Sequence, residues 1–325
     1  MTDKPITSGN NESKRILVTG AAGQIGSELV PSLRKKYGED NVISLDLRSI
    51  SNGGKQEVGD ATDKAFIESC IKKYDINEIY HLVGILSARG EQDPELAYRV
   101  NMGSLKNILD LAKAMKENGK SVRIFWPSSI AAFGPTTPRE KTPQRTVLEP
   151  GTMYGVTKVA GELLVNYYFQ KFGVDTRSLR YPGVISWKAP PGGGTTDYAV
   201  HIFHAALKEK KYSCFIKPGT YLPMMHIDDA VRATIELMSA DSSRITIRTS
   251  YNLAAVSFAP EEIAKEIKKH IPEFQMTYAP DFRQQIADSW PKSIDDSFAR
   301  KDWNWKHHYD LPKLVDDMLM NLKKQ

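Results

Sequence analysis

Tyr154 and Lys158 stand four residues apart in Tyr154-Gly-Val-Thr-Lys158. On a helix, positions i and i+4 share a face, so a phenol and an ammonium project together. A phenol of pKa about 10 is a weak base at neutral pH, and a neighbouring cation stabilises the phenolate. The pair is therefore a candidate for taking a proton from a hydroxyl group. Upstream, Trp126-Pro-Ser128-Ser129-Ile-Ala-Ala-Phe-Gly134 follows a buried apolar run. A hydroxyl at the carboxyl end of that strand can hydrogen-bond a reacting oxygen beside Tyr154. The same residues also read as an ordinary serine-rich turn.

A second feature carries different chemistry. Gly20-Ala-Ala-Gly23-Gln24-Ile25-Gly26 lies where an apolar run, Arg15-Ile-Leu-Val-Thr-Gly20, gives way to a helical pattern. Glycine is needed there because the turn is tight, backbone amides must approach a pyrophosphate, and the helix N-terminus supplies donors. Asp46 ends the next strand, twenty residues after Gly26. A carboxylate there bonds the ribose hydroxyls and repels a 2′-phosphate, so the expected cofactor is NAD rather than NADP. Asp60, before Ala61, reads equally as a contact to the adenine amine and as a helix N-cap.

These residues need a scaffold, and the hydrophobic pattern supplies one. Residues 24–37 carry Ile25, Leu29, Leu33 and Tyr37 at a spacing of four, one helix stripe in which Pro31 predicts a kink or a distorted first turn. Residues 41–46, 78–83, 122–126 and 175–181 read as strands. Residues 61–74, 96–117 and 151–172 read as helices. Strands alternating with helices at this spacing predict an α/β, doubly wound parallel sheet of Rossmann type, with a smaller mixed α/β substrate domain. Beyond Tyr181, Pro182, Pro190, Pro191 and Gly192-Gly-Gly194 form a loop-rich stretch. The division expected is a flexible leader over 1–14, an NAD-binding domain over 15–182, and a mainly substrate-binding domain over 183–325. Parts of the last, about 224–255, return to the first. Residues 251–254 read as a strand and 260–270 as a capped helix.

Composition narrows the classes. The chain has 325 residues, 41% of them hydrophobic and 26% charged, which suffices for a substantial core and excludes disorder and collagen-like architectures. A net charge of +5, scattered along the chain, does not imply a nucleic-acid partner. Two distant cysteines, Cys70 and Cys214, exclude a disulfide scaffold and a multi-cysteine metal site. His201 and His204 lack a carboxylate or cysteine cluster, so no metal is expected. No apolar run approaches the roughly 18 residues of a membrane span. The polar first fourteen residues, with Asp3 and Glu12, fit neither a secretory signal nor a mitochondrial presequence.

Together these features resemble the extended short-chain dehydrogenase/reductases over 16–309. The matching segments are the glycine turn, His81-Leu82-Val83-Gly84, Val100-Asn101-Met-Gly103, Ser129, Tyr154 with Lys158, Arg180-Tyr181-Pro182-Gly183 and His226-Ile-Asp-Asp-Ala230. The resemblance implies a catalytic set of Tyr154, Lys158 and Ser129, with Ser128 as the fallback. Lys158 is implied to depress the Tyr154 pKa and to hold the nicotinamide ribose. The candidate cofactor positions are Gly20, Gly23, Gln24, Ile25, Gly26, Asp46, Asp60, Ala61, Leu82, Val83, Gly84, Asn101, Tyr154, Lys158, Tyr181 and Gly183. A homodimer built across the helices 96–117 and 151–172 is also implied.

Within that family, nucleotide-sugar enzymes are the reading to displace. They carry an arginine four residues before the histidine of the His-x-x-Asp segment, to clamp a diphosphate; here Leu222 stands there. The stretches Gly192-Gly-Gly-Thr195-Thr196-Asp-Tyr-Ala199, Pro127-Ser-Ser-Ile-Ala-Ala-Phe-Gly-Pro135 and Asp288-Ser-Trp290-Pro291 look like the short-chain type of L-threonine 3-dehydrogenase. That resemblance implies oxidation of the L-threonine β-hydroxyl by NAD, with Tyr154 as base. Gly193, Gly194, Thr195 and Thr196 offer amides and hydroxyls for the substrate carboxylate, or form a plain flexible loop. Ser87 is placed to bond substrate, and Trp290 closes over it or packs as core. Ser129 and Tyr154 hold the reacting oxygen. The alternatives are a nucleotide-sugar epimerase or dehydratase, and a non-catalytic NAD sensor. The compartment expected is the mitochondrial matrix, where animal relatives work, or the cytoplasm.

Overall fold

The computed structural model describes residues 14–50, 53–188 and 192–324. The expected leader, up to residue 13, and Pro190 and Pro191 lie outside the described residues. From Lys14 the chain enters β1 (Ile16–Thr19), buried along its whole length as a strand covered on both faces must be. Then follow α1 (Gly26–Tyr37), β2 (Val42–Asp46), β3 (Gln56–Val58), α2 (Lys64–Tyr74), β4 (Glu78–His81), α3 (Ser87–Gln92) and α4 (Pro94–Glu117). Next come β5 (Arg123–Ser129), α5 (Met153–Phe172), β6 (Asp175–Tyr181), β7 (Gly183–Ile185), α6 (Tyr198–Lys208), β8 (Lys211–Cys214) and β9 (Leu222–His226). The chain ends through α7 (Ile227–Ser239), β10 (Tyr251–Asn252), β11 (Val256–Phe258), α8 (Pro260–His270), β12 (Gln275–Tyr278), α9 (Arg283–Asp288), α10 (Ser297–Trp303) and α11 (Leu311–Leu322).

The large sheet has the order β10-β6-β5-β4-β1-β2-β3, with every pair parallel. This is the doubly wound architecture that the alternating pattern predicts. The chain winds outward from β1 to β3, then returns to the other side of β1 with β4. The order therefore reverses between β1 and β4, and a crevice opens at their carboxyl ends. Beyond the large sheet, β7 pairs parallel and β11 antiparallel with β9, while β8 pairs with β12. The later chain is not spatially separate: β10 extends the large sheet, and α7 packs its buried side with Leu29, Val30 and Leu33 of α1.

Local chemistry sets the element ends. Asp63, not Asp60, caps α2, its carboxylate accepting from the Ala65 and Phe66 amides. Asp60 instead accepts from the Thr62 amide in a short turn, which corrects the helix-cap reading of that residue. Asp93 caps α4, where Pro94 occupies the first turn and needs no amide partner. α1 runs unbroken across Pro31, with no interruption there. β5 runs on to Ser129, further than its apolar stretch suggests, because β6 pairs with it along its full length. The short polar β3 and α3 have no periodic signature in the sequence.

Candidate active site

The glycine turn is shaped by steric necessity. Gly20 has φ +71°, and a Cβ there would sit 3.1 Å from the Leu82–Val83 peptide. A Cβ on Gly26 would lie 2.4 Å from the Gly20 carbonyl oxygen, so α1 seats directly on the turn. The Asp46 carboxylate, at the carboxyl end of β2, accepts from the Ala22 amide at 2.9 Å and so borders the turn. A helix N-terminus with a bordering carboxylate at the sheet's switch point fits a dinucleotide, pyrophosphate over the turn and ribose at Asp46. Gln24 donates to the Val184 carbonyl, and with Ile25, Leu82 and Gly84 it lines the adjoining cleft.

Asn101 does not reach that lining. Its amide spends both donors, on the Ile85 carbonyl and the Thr157 hydroxyl, and its oxygen accepts from the Ile85 amide. It fixes the loop after β4 against α5 from behind. The Tyr181 phenol likewise turns away, bonded to Thr234 of α7, although residue 181 and Gly183 both border the cleft. Asp60 is exposed, and Ala61 is buried beside it in the α2 core.

The cleft, of about 160 Å³, collects Ser87, Ser129, Tyr154, Lys158, Gly194, Thr195, Thr196 and Trp290. Thr152 caps α5 through the Gly155 amide, which fixes where Tyr154 and Lys158 leave the helix. Burial raises the Tyr154 phenol to about 12, while its hydrogen bond with Ser129 pulls the value down. Burial lowers Lys158 to about 7, against the opposing charge of Glu162. The Lys158 ammonium donates to the Pro127 carbonyl at 2.5 Å, and it lies 4.5 Å from the Trp126 ring centroid and 5.3 Å from that of Tyr154. Ser128 is directed elsewhere: its hydroxyl donates to Glu162 at 2.5 Å.

The substrate side differs from expectation in one respect. The Gly193 and Gly194 amides are occupied, both donating to one oxygen of Asp197, at 2.8 and 2.7 Å. Burial raises the pKa of Asp197, with the two amides opposing. Gly193 is not part of the lining, whereas Asp197 is. Asp197 carried no signal in the sequence beyond lying inside the glycine-threonine stretch. The Thr195 hydroxyl is buried with no hydrogen-bond partner. Ser87 starts α3 and is buried. Trp290 is built into the wall, its carbonyl held by Arg139 and its ring in the core with α6 and α11. His201 and His204 are exposed on α6, and no group of three potential metal ligands occurs among the described residues.

Comparison with known proteins gives the family and its relatives. The sequence pattern of the NAD dependent epimerase/dehydratase family matches residues 16–254. The mitochondrial L-threonine 3-dehydrogenase of Bos taurus is 49% identical over 313 residues, covering 95% of this chain and 82% of the bovine one. The crystal structure of L-threonine dehydrogenase from Phytophthora infestans superposes with a TM-score of 0.93 at 50% identity, covering 96% and 99%. A monomeric L-threonine 3-dehydrogenase from a metagenome superposes at 0.91 and 48% identity, covering 95% and 99%.

Proposed function

Because the chain belongs to the NAD dependent epimerase/dehydratase family, we propose that it oxidises the β-hydroxyl of L-threonine to 2-amino-3-ketobutyrate. The observation that carries this reading is the cleft lined by Tyr154, Ser129 and Thr195, the last with a buried hydroxyl that no protein group meets.

NAD, when bound on the glycine turn and Asp46, supplies the acceptor for the β-carbon hydride. Ser129 holds the substrate hydroxyl beside Tyr154, and the phenolate takes its proton. Lys158, beneath the phenol, stabilises the phenolate to the extent that it stays protonated. Thr195 and Thr196 supply hydroxyls for the carboxylate, and Asp197 supplies the negative charge that the ammonium of a zwitterion needs. Ser87 and Trp290 complete the wall.

Against a nucleotide-sugar substrate, Leu222 lies fully buried in the core. The position that would carry a diphosphate-clamping arginine therefore faces no cleft. The test is to incubate the protein with NAD and a panel of amino acids and hydroxy acids while following NADH absorbance. Net NADH with L-threonine, lost in Tyr154→Phe, is expected. Silence with threonine together with turnover of a nucleotide sugar would overturn the reading.

A homodimer is supported by Tyr98 of α4 and by Val156, Leu163 and Tyr167 of α5, all large side chains left exposed. Sedimentation at micromolar concentration distinguishes this from a monomer. Among the described residues no helix is long and apolar enough to cross a membrane. For the compartment, the mitochondrial bovine relative supports a mitochondrial reading, with the cytoplasm as the other.

A further inference from the structure

One buried group next to the reacting residues has no part in the proton transfer. Glu162 lies one helical turn beyond Lys158 on α5 and is 1% exposed. One carboxylate oxygen accepts from the Ser128 hydroxyl at 2.5 Å and from Arg180 Nε at 2.8 Å. The other accepts from Arg180 Nη2 at 2.6 Å. Arg180 continues to Asn252 Oδ1 on β10 and to the Gln144 carbonyl. Asn252 in turn donates to the Thr142 and Asp295 carbonyls. The network therefore ties α5 to β5, β6 and β10, and to the chain that follows Trp290.

Two consecutive residues of β5 are thus gripped from one helix. Lys158 holds the Pro127 carbonyl and Glu162 holds the Ser128 hydroxyl. Ser129 is the next residue, so its place against Tyr154 is inherited from that grip. The charges add a second consequence. Groups with charge or protons to lose around this point are Tyr154 and Lys158 on α5, Arg180 on β6 and His81 on β4. Arg180 is matched by Glu162. His81 is held neutral by burial, its pKa lowered to about 3. Lys158 is the remaining buried cation among these groups, and the Glu162 carboxylate, shared with Arg180, lies one helical turn away and opposes the effect of its burial.

We propose that Glu162 is a positioning residue, which through Ser128 fixes the Ser129 end of β5 and, with its carboxylate one helical turn from Lys158, opposes loss of the Lys158 proton. A buried carboxylate doubly bonded to arginine is usually read as a structural pair, and the test must separate the two roles. The positioning half rests on the proposed dehydrogenase reading; the electrostatic half does not.

The electrostatic half is read by NMR titration of ¹³C-lysine-labelled protein, without substrate or cofactor. One lysine titrating near neutrality, absent from Lys158→Met, is expected. Glu162→Gln removes the charge while keeping an acceptor for Ser128. Its midpoint is expected to move acidic by about one pH unit, a tenfold change in the ionisation ratio. Glu162→Asp, which keeps the charge, restores the midpoint. An unmoved midpoint in folded Glu162→Gln overturns this half. The positioning half is read with Ser128→Ala, which leaves the Glu162–Arg180 pair intact and so preserves the fold should Glu162→Gln fail. Its kcat is expected to fall about tenfold, with the KM for NAD and the lysine midpoint unchanged. Wild-type kcat in Ser128→Ala overturns that half. Loss of threonine turnover in the wild type would instead reject the dehydrogenase reading, leaving the titration result standing.

Discussion

The glycine turn and the wall proposed for the substrate border one cleft, yet they are built on different principles. At the turn the working groups are backbone amides. Their direction is set by two local facts, the left-handed Gly20 and the absence of a side chain on Gly26. At the wall the working groups are side chains from four separate stretches, Ser87, Ser129, Thr195 to Asp197, and Trp290. Some of those groups also serve the fold. Asp197 is bonded to the two amides before it, while Thr195 has a buried hydroxyl with no partner. Backbone recognition leaves a spacing in the sequence; recognition by assembled side chains does not.

The sharpest way to break the comparison is at Gly26. A methyl group there would meet the Gly20 carbonyl at 2.4 Å and Ala21 backbone atoms at 2.7 and 2.8 Å, none of which can rotate away. Overpacking of this kind costs about 1–3 kcal/mol. Gly26→Ala is expected to weaken NAD binding by about 10- to 100-fold in calorimetry and to lower the melting temperature. Unchanged NAD affinity would show that the turn is not set by this contact.

That contrast explains what the sequence disclosed. The parallel, doubly wound sheet and the glycine turn follow from periodicity and from residues adjacent in the chain. The Tyr154 and Lys158 pair is legible for the same reason, since one helix turn separates them. The short β3 and α3 were not, because the polar Gln-Glu-Val of β3 holds its place only by pairing with β2. Asn101 illustrates the harder case. Its type suits a cofactor contact, and only the fold shows its donors committed to Ile85 and Thr157. The Gly193 and Gly194 amides are a similar case, since nothing in a glycine run reveals that the Asp197 carboxylate, four and three residues on, accepts from both.

On the wall, Thr195→Val removes the hydroxyl while nearly preserving shape. If the hydroxyl is kept for substrate, the KM for threonine rises about tenfold, near the 1.4 kcal/mol of a hydrogen bond to a charged group. NAD affinity should not change. The melting temperature should hold or rise slightly, because the buried hydroxyl has no partner in the protein. A falling melting temperature with unchanged KM would place Thr195 with the fold rather than the substrate.

Asp197 offers a gentler probe of the same wall. Burial raises its pKa, so it takes up a proton at a higher pH than an ordinary carboxylate as the medium is acidified. Affinity for an ammonium-bearing substrate should therefore fall on acidification before exposed carboxylates titrate, and in Asp197→Asn that dependence should vanish. A pH series of KM for threonine in the two proteins is the measurement. Parallel profiles would remove Asp197 from ammonium recognition.

The last test concerns the point where the two regions meet. Lys158 has a folded-state pKa near 7, well below the ordinary lysine value of 10.5. Below pH 7 both folded and unfolded chains hold this proton, and the folded protein bears the full cost of burying the charge. Between pH 7 and 10.5 the unfolded chain binds the proton and the folded chain releases it, so stability rises with pH across that window. Lys158→Met abolishes the dependence, although it also leaves the Pro127 carbonyl without its donor. The melting temperature of the variant relative to wild type should thus be flat below pH 7 and decline as pH increases above it. The slope is at most about 1.4 kcal/mol per pH unit, a few degrees for a chain of this size. A gap that stays constant from pH 6 to 9.5 would mean that the lysine is charged throughout, and that the cation under Tyr154 is permanent rather than poised.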